Sequence, residues 1–295
     1  MKLFYAKLVF LCVLLTFSLH QNILAQTTND STSSKKSHFR ASLGYLTNSV
    51  YNGRKDTVAN PYLNAEIGYY HKSGFNISAS ASYQPNNKVF DVFSIDAGYN
   101  LEISDQLSAT FLADKPFYNK SSTTVSSGIK GSIDAGLTYD PGFISIDASI
   151  GTVFSKKTDI LISGSLSHLF LLDGFDDESF WGIAPSFSTN FGTQNFYQDY
   201  KTRSSKKKLL SASSSTVGGN SHIQLLDYEF SLPISYDTKR WGLTVLPIYA
   251  IPRNPVTTTT TTIITTINKT RTFVSTDTEK LQNVFYAQFT VDFKF

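Results

Sequence analysis

From residue 39 onward, apolar and polar positions alternate with a period of two. About twelve segments carry the pattern, near 39–47, 61–70, 75–83, 90–103, 107–114, 125–139, 143–154, 160–170, 180–191, 222–236, 241–251 and 285–295. The clearest is the last. Phe285, Ala287, Phe289, Val291, Phe293 and Phe295 are apolar, and Tyr286, Gln288, Thr290, Asp292 and Lys294 lie between them. Alternation of this kind predicts strands with one apolar and one polar face. Leu63, Ala65, Ile67 and Tyr69 share an apolar face, as do Phe93, Ile95, Ala97 and Tyr99, and Leu226, Tyr228, Phe230, Leu232, Ile234 and Tyr236. The opposite faces hold Asn64, Glu66, Ser94, Asp96 and Asn100.

The connections decide what these strands build. After even-numbered segments they are mostly tight: 71–74, 104–106, 140–142, 237–240 and a longer 171–179. After odd-numbered segments they are usually long, at 48–60, 115–124, 192–221 and 252–284, with only 84–89 and 155–159 short. Short turns alternating with long loops are the pattern of a membrane β-barrel, whereas a soluble sandwich gives no reason for it. The expected fold is therefore all-β: a transmembrane antiparallel up-and-down β-barrel of about twelve strands. Aromatics support this, because rings favour both membrane interfaces. Phe39, Tyr69, Phe75, Tyr139, Phe143, Phe170, Trp181, Tyr236, Trp241 and Phe295 fall at predicted inner ends. Tyr45, Phe111, Phe154, Phe191, Tyr249 and Phe285 fall toward the outer ends. The terminal Phe289, Val291, Phe293 and Phe295 resemble the signal that the outer-membrane assembly machinery reads.

The N-terminus fits export. Residues 1–25 have the plan of a secretory signal peptide, with Lys2 and Lys7 ahead of an apolar run from Leu8 to Leu19. Cleavage is expected near Ala25. The only cysteine, Cys12, lies within that run, and Leu11 before it is too large for a lipoprotein signal. Residues 26–38 read as a flexible lead-in on the periplasmic side, and 39–295 as the barrel.

Composition changes the picture only through where the charges fall. The chain has 26 Lys and Arg against 23 Asp and Glu, so net charge identifies no partner. If the apolar faces meet lipid, nine carboxylates point into the lumen: Glu66, Asp96, Glu102, Asp114, Asp134, Asp147, Asp227, Glu229 and Asp292. Only Arg40, Lys130 and Lys294 oppose them. Such a lining favours cations. A plugged barrel with hydrogen-bonded carboxylates is the alternative. The outer loops are basic, and their lysines and arginines suit the phosphates of outer-membrane lipid and lipopolysaccharide. The run Lys206-Lys207-Lys208 has no interleaved aromatics, so nucleic acid is not an expected partner.

Enzymatic signatures are missing. The mature His38, His71, His168 and His222 form no His-x-Ser pair, and no nucleophile elbow, phosphate loop, zinc spacing or calcium loop occurs. No cofactor or metal is expected, and no enzyme activity. Two segments stand apart. Thr257–Thr262 and the Ile/Thr run after it suggest an external hairpin, with a low-complexity loop as the alternative. Residues 204–220, rich in Ser, Lys and Gly, read as a mobile loop.

Tyr51-Asn52-Gly53-Arg54-Lys55-Asp56-Thr57-Val58 and Gly68-Tyr69-Tyr70-His71-Lys72-Ser73-Gly74-Phe75, together with the Ala25-Gln26 cut, resemble an uncharacterised outer-membrane β-barrel family of the Bacteroidota. The resemblance implies fold and location, and no substrate. Asp30-Ser31-Thr32 and Asp56-Thr57-Val58 also resemble the O-glycosylation sequon of that phylum, making Ser31 and Thr57 candidate sites. The functional expectation is a monomeric passive pore or channel for small solutes or cations. The alternative is a non-conducting barrel for surface interaction, adhesion or envelope structure.

Overall fold

The computed structural model describes residues 36–55, 60–122, 124–196, 213–218, 222–266 and 269–295. The expected signal peptide, the candidates Ser31 and Thr57, and the Lys206–Lys208 run lie outside them.

The chain closes into one antiparallel barrel of twelve strands in sequence order. They are β1 (His38–Leu46), β2 (Tyr62–Tyr70), β3 (Phe75–Gln84), β4 (Val89–Ser104), β5 (Leu107–Tyr118), β6 (Gly131–Tyr139) and β7 (Ser145–Phe154). Then follow β8 (Asp159–Ser167 continued by Phe170–Asp173), β9 (Phe180–Ile183 and Ser186–Gly192), β10 (Gln224–Ser231 and Ile234–Asp237), β11 (Trp241–Pro252) and β12 (Val284–Lys294). Closure is made by β12, which pairs with β11 on one side and with β1 on the other. Closing the sheet pairs backbone groups that hydrocarbon could not satisfy.

The alternation read from the sequence is the alternation of the wall. Leu63, Ile67, Phe93, Ile95, Ile133, Phe230 and Phe289 are exposed on the outside. Inward neighbours such as Asn64, Glu66, Ser94 and Asp96 are half-buried. Large apolar side chains outside and polar ones inside invert a soluble protein. That arrangement is stable only where the outside meets lipid. Among the described residues no helix is long and apolar enough to cross a membrane.

Three departures from strict alternation have local causes. Strands β8, β9 and β10 are each interrupted, the last two at Pro185 and Pro233, which have no N–H for the ladder. The interruptions sit side by side. His168 N–H donates to Pro185 O, Ala184 N–H to Pro233 O, and Leu232 N–H to Pro247 O. Of the three bulges among the described residues of the wall, one skips Ile103 near the inner turn and two bury the residue they skip. Opposite β3 the register skips Asp91, and opposite β9 it skips Leu226. Leu226, expected on the lipid face, is instead fully buried with Val153 and Leu161. Asp91, which alternation alone would place outside, is also buried.

Two segments differ from their expected form. β6 begins at Gly131 rather than near 125, because Val125–Gly128 forms a short 3-10 turn in the loop above it. Phe111, expected toward the outer end, pairs with Tyr99 and Ala135 in the row that Phe75 begins beside the inner turn. The Thr-rich segment forms the external hairpin Thr257–Thr266 and Lys269–Thr278. Ser213–Gly218, expected within a mobile loop, adds a third strand against Thr258–Ile263.

Candidate functional site: the capped outer mouth and the acidic lumen

The first outer loop folds inward instead of standing above the barrel. Val50–Tyr51 and Arg54–Lys55 pair as a two-rung hairpin. Its turn is Asn52-Gly53, with φ of 52° and 70°. Two consecutive positive φ angles are what Asn-Gly supplies in a tight hairpin turn. A Cβ on Gly53 would lie 2.8 Å from the Asp227 Cβ and 3.2 Å from the Pro252 Cα. Glycine is thus needed both for the turn and for its close seat on the wall of β10 and β11.

Arg54 holds the hairpin there. Its side chain is almost wholly buried, with a residue exposure of 3%. Nη1 donates to the carbonyls of Asn52 (2.9 Å) and Leu226 (3.3 Å), and Nη2 to those of Arg253 (3.0 Å) and Asn254 (3.2 Å). Nε faces Glu279 Oε1 at 3.3 Å. Glu279 in turn accepts from the Val256 N–H at 3.2 Å. One guanidinium therefore joins the first outer loop to both ends of the last one. Its planar fork suits this, since it offers several donors in fixed directions.

A second clamp brings in the loop after β9. Asp159, fully buried at the start of β8, accepts from Thr193 Oγ1 (2.5 Å) and the Asn195 N–H (2.8 Å) through Oδ1. Its Oδ2 accepts from the Phe196 N–H at 2.8 Å. This turns Phe196 into the mouth, where its ring meets Tyr51 edge-on at 4.9 Å. Val125 and Val256 complete a small apolar core with Phe196, and Tyr51 packs against it. Burial, then the nearby Asp159 carboxylate, holds the Tyr51 phenol well above its ordinary pKa, so it stays neutral.

A third network fixes the loop that carries Val125. Asp91 Oδ2 accepts from the hydroxyls of Tyr62 (2.6 Å) and Ser122 (2.9 Å). Gln84 Nε2 donates to the Tyr62 hydroxyl at 2.6 Å. Four loops thus converge into a cap across the outer end of the barrel. Buried polar groups that are paired in this way rigidify what they connect.

Below the cap the interior is uneven. On β7 to β10 the inward residues Asp147, Ser149, Ser163, Asn190 and Asp227 are buried. On β2 to β5 the inward residues Asn64, Glu66, Ser78, Ser80, Ser82, Asp96, Thr110 and Asp114 remain half-buried. Most are small, and a twelve-stranded interior is wider than small side chains fill.

The anticipated lumen carboxylates separate into groups. Asp96 and Asp114 stand directly opposite each other across β4 and β5, and Ser78 Oγ donates to Asp96 at 3.5 Å. Asp134 accepts from Ser132 at 2.9 Å, and Asp147 from Thr138 (2.7 Å) and Ser165 (3.0 Å). Asp227 accepts from Asn190, and Glu229 from the Tyr286 hydroxyl at 3.4 Å. Asp292 binds Arg40 at 2.7 Å and accepts from Ser42 at 2.6 Å. Lys294 is half-buried beside the inner rim, opposite Arg40 in the register. Glu102 and Lys130 are exposed instead. Glu102 lies near the inner end of β4, which runs on to Ser104, and Lys130 precedes the shortened β6.

Arg54, Glu279, Asp159 and Asp91 were not among the anticipated site residues. The Asn-Gly turn signal at 52–53 was available for the first of them. Asp91 lies at a bulge, Glu279 in a loop and Asp159 at the first residue of its strand, where period-two reading has little purchase. Of the histidines, His38 stacks on Tyr70, His71 Nδ1 lies 2.8 Å from Ser73 Oγ, and His168 meets Phe170 edge-on. Among the described residues no group of three or more His, Cys, Asp or Glu is placed to hold a metal.

No protein-family model matches the chain, and no curated protein matches it. Among solved structures, it is similar to a KdgM porin at 10% identity and a TM-score of 0.46, over 87% of this chain and 99% of that one. It is similar to an outer-membrane channel of Pseudomonas putida F1 at 11% identity and a TM-score of 0.34, over 90% and 98%. CdiB from Acinetobacter baumannii is similar at 10% identity and a TM-score of 0.33, over 88% of this chain and 60% of that one.

Proposed function

We propose that this chain is an outer-membrane pore for small solutes or cations, with the Arg54 hairpin closing its outer mouth. The observation that carries the proposal is the half-buried inner wall of β2 to β5. It is lined mainly by small polar side chains and by Glu66, Asp96 and Asp114, with Leu112 among them, beneath a cap built from separate loops. Side chains of that size leave room for water along this wall. Asp96 opposite Asp114 brings two carboxyl groups together on this wall, and a passing cation favours their charged form. The tetrad Phe289, Val291, Phe293 and Phe295 would direct assembly, the segment 1–25 export, and the two motifs at 51–58 and 68–75 suit a barrel of the Bacteroidota.

The test is ion selectivity. In a planar bilayer under a salt gradient, the double variant Asp96→Asn, Asp114→Asn should lose cation preference by roughly five-fold. That corresponds to ~1 kcal/mol of lost attraction at the effective dielectric of a wet interior. An unchanged reversal potential in a conducting variant would remove these residues from the path.

A second reading is a non-conducting barrel for surface interaction. It is favoured by the apolar contacts inside the cap and by the external sheet of Ser213–Gly218, Thr257–Thr266 and Lys269–Thr278. Deleting 257–278 would abolish such an interaction and leave a pore conducting.

A further inference from the structure

The outer wall has a feature that neither the lumen nor the cap uses. Across β3 to β7 the lipid-facing side chains form an apolar groove of about 480 Å3. One row along it is Phe75, Tyr99, Phe111, Ala135 and Ile150, and the next is Ala97, Ala113, Ile133 and Thr152. The concavity arises because Ala97, Ala113 and Ala135 are small while their neighbours Tyr99, Phe111 and Ile133 stand out as exposed side chains. The row above it, toward the outer end, contains Ile95, Lys115, Gly131 and Phe154.

One lysine lies on that upper row and three lie just beyond it in the chain. Lys115 points outward on the same face as Ala113. Its stem lies over Gly131, where a Cβ would be 4.0 Å from Lys115 Cδ. Its ammonium donates to the Lys130 carbonyl at 2.6 Å. Lys130 N–H donates to the Phe154 carbonyl at 2.7 Å. Lys156 and Lys157 follow in the turn after Phe154. All four lysine side chains are exposed. The acidic neighbour of Lys115, Asp114, faces the lumen opposite Asp96, and Asp91 and Asp159 are buried.

We infer that the wall of β3 to β7 is a binding site for a phosphate-bearing, multiply acylated lipid of the outer leaflet. An acyl chain fills the groove of Ala97, Ala113 and Ala135, and the phosphates meet Lys115, Lys130, Lys156 and Lys157. Charge complementarity selects the ligand. An apolar groove alone accepts any acyl chain, whereas four lysines at its outer end favour an anionic head at that depth. Snorkelling lysine stems place ammoniums at the headgroup level. The site rests on the outer-membrane reading and not on conduction.

Native mass spectrometry of the full mature chain, refolded in a zwitterionic detergent, tests this. Lipid A, phosphatidylglycerol and phosphatidylcholine are added in parallel. The expected result is retention of lipid A, weakened at least about tenfold in the K115Q/K130Q/K156Q/K157Q variant. Ala113→Trp, which fills the groove, should weaken it as well. If that variant does not fold, the lysine variant decides alone. A heat-modifiable, folded protein that retains no lipid A, or an undiminished lysine variant, overturns the inference and leaves the pore reading standing. Equal retention of phosphatidylcholine overturns the role of charge, and equal retention of phosphatidylglycerol overturns the outer-leaflet source. A chain that forms no heat-modifiable barrel at all would instead contradict the membrane reading.

Discussion

Arg54→Ala should open the outer mouth. The substitution removes four donated hydrogen bonds and an ion pair, and it leaves Glu279 without its partner beside Val256. Breaking a buried pair from one side costs about 3–5 kcal/mol, because the remaining charge is stranded. The barrel itself does not depend on this residue, since each wall strand is held by ladders on both sides. The cost therefore falls on the seat of the hairpin. Proteoliposomes carrying Arg54→Ala should swell in small sugars much faster than wild type, and the 49–60 loop should become cleavable by added protease. Arg54→Lys keeps the charge but loses the fork, so its effect should be intermediate. Unchanged swelling and protection in a folded Arg54→Ala barrel would mean that the hairpin is held without it.

Asp159→Ala should release the loop after β9. Its carboxylate is the common acceptor for Thr193 Oγ1 and for the N–H groups of Asn195 and Phe196. Truncation leaves two buried backbone donors unmet, at about 1–3 kcal/mol each. Phe196 should then withdraw from Tyr51 and the apolar contacts of the cap should thin. Amide exchange at 194–196 should speed up by roughly a hundred-fold, corresponding to ~2.7 kcal/mol. Amides of β4 and β5 should keep their protection. Asp159→Asn retains one acceptor oxygen and should fall between. Equal exchange in Asp159→Ala and wild type would show that the loop is anchored elsewhere.

The wall was legible in the sequence because membrane and lumen impose opposite demands on successive residues. A strand such as Val284–Lys294 therefore announces both its conformation and its facing. Loop lengths added strand order, and the even count added the common side of the termini. The cap was less legible. Arg54 lies in a long loop whose polarity suggested exposure, and nothing in the order of residues says that a loop turns inward. Its Asn-Gly pair is a hairpin-turn signal that the reading of 48–60 as a long loop passed over, and even that signal does not give the destination. Asp91 and Leu226 were hidden for another reason: a bulge moves a residue to the other face and leaves no mark in composition. Lys130 and Glu102 illustrate a third limit. Alternation assigns a face, but whether a position lies within the lumen depends on where each strand stops. The basic character of the outer loops was legible, but not the groove of Ala97, Ala113 and Ala135 beneath Lys115. That juxtaposition forms only when the register sets Lys115 beside Gly131 and Phe154.

The central claim is a cation-favouring path along β2 to β5, closed at the outer mouth by the Arg54 hairpin. Single-channel recording of refolded residues 26–295 in a planar bilayer, with the reversal potential taken under a salt gradient, tests it most directly. The account predicts brief, low-conductance, cation-selective openings for the wild type, becoming steady in Arg54→Ala. Silence from both proteins, each shown to be heat-modifiable and therefore folded, would contradict it and establish a plugged barrel.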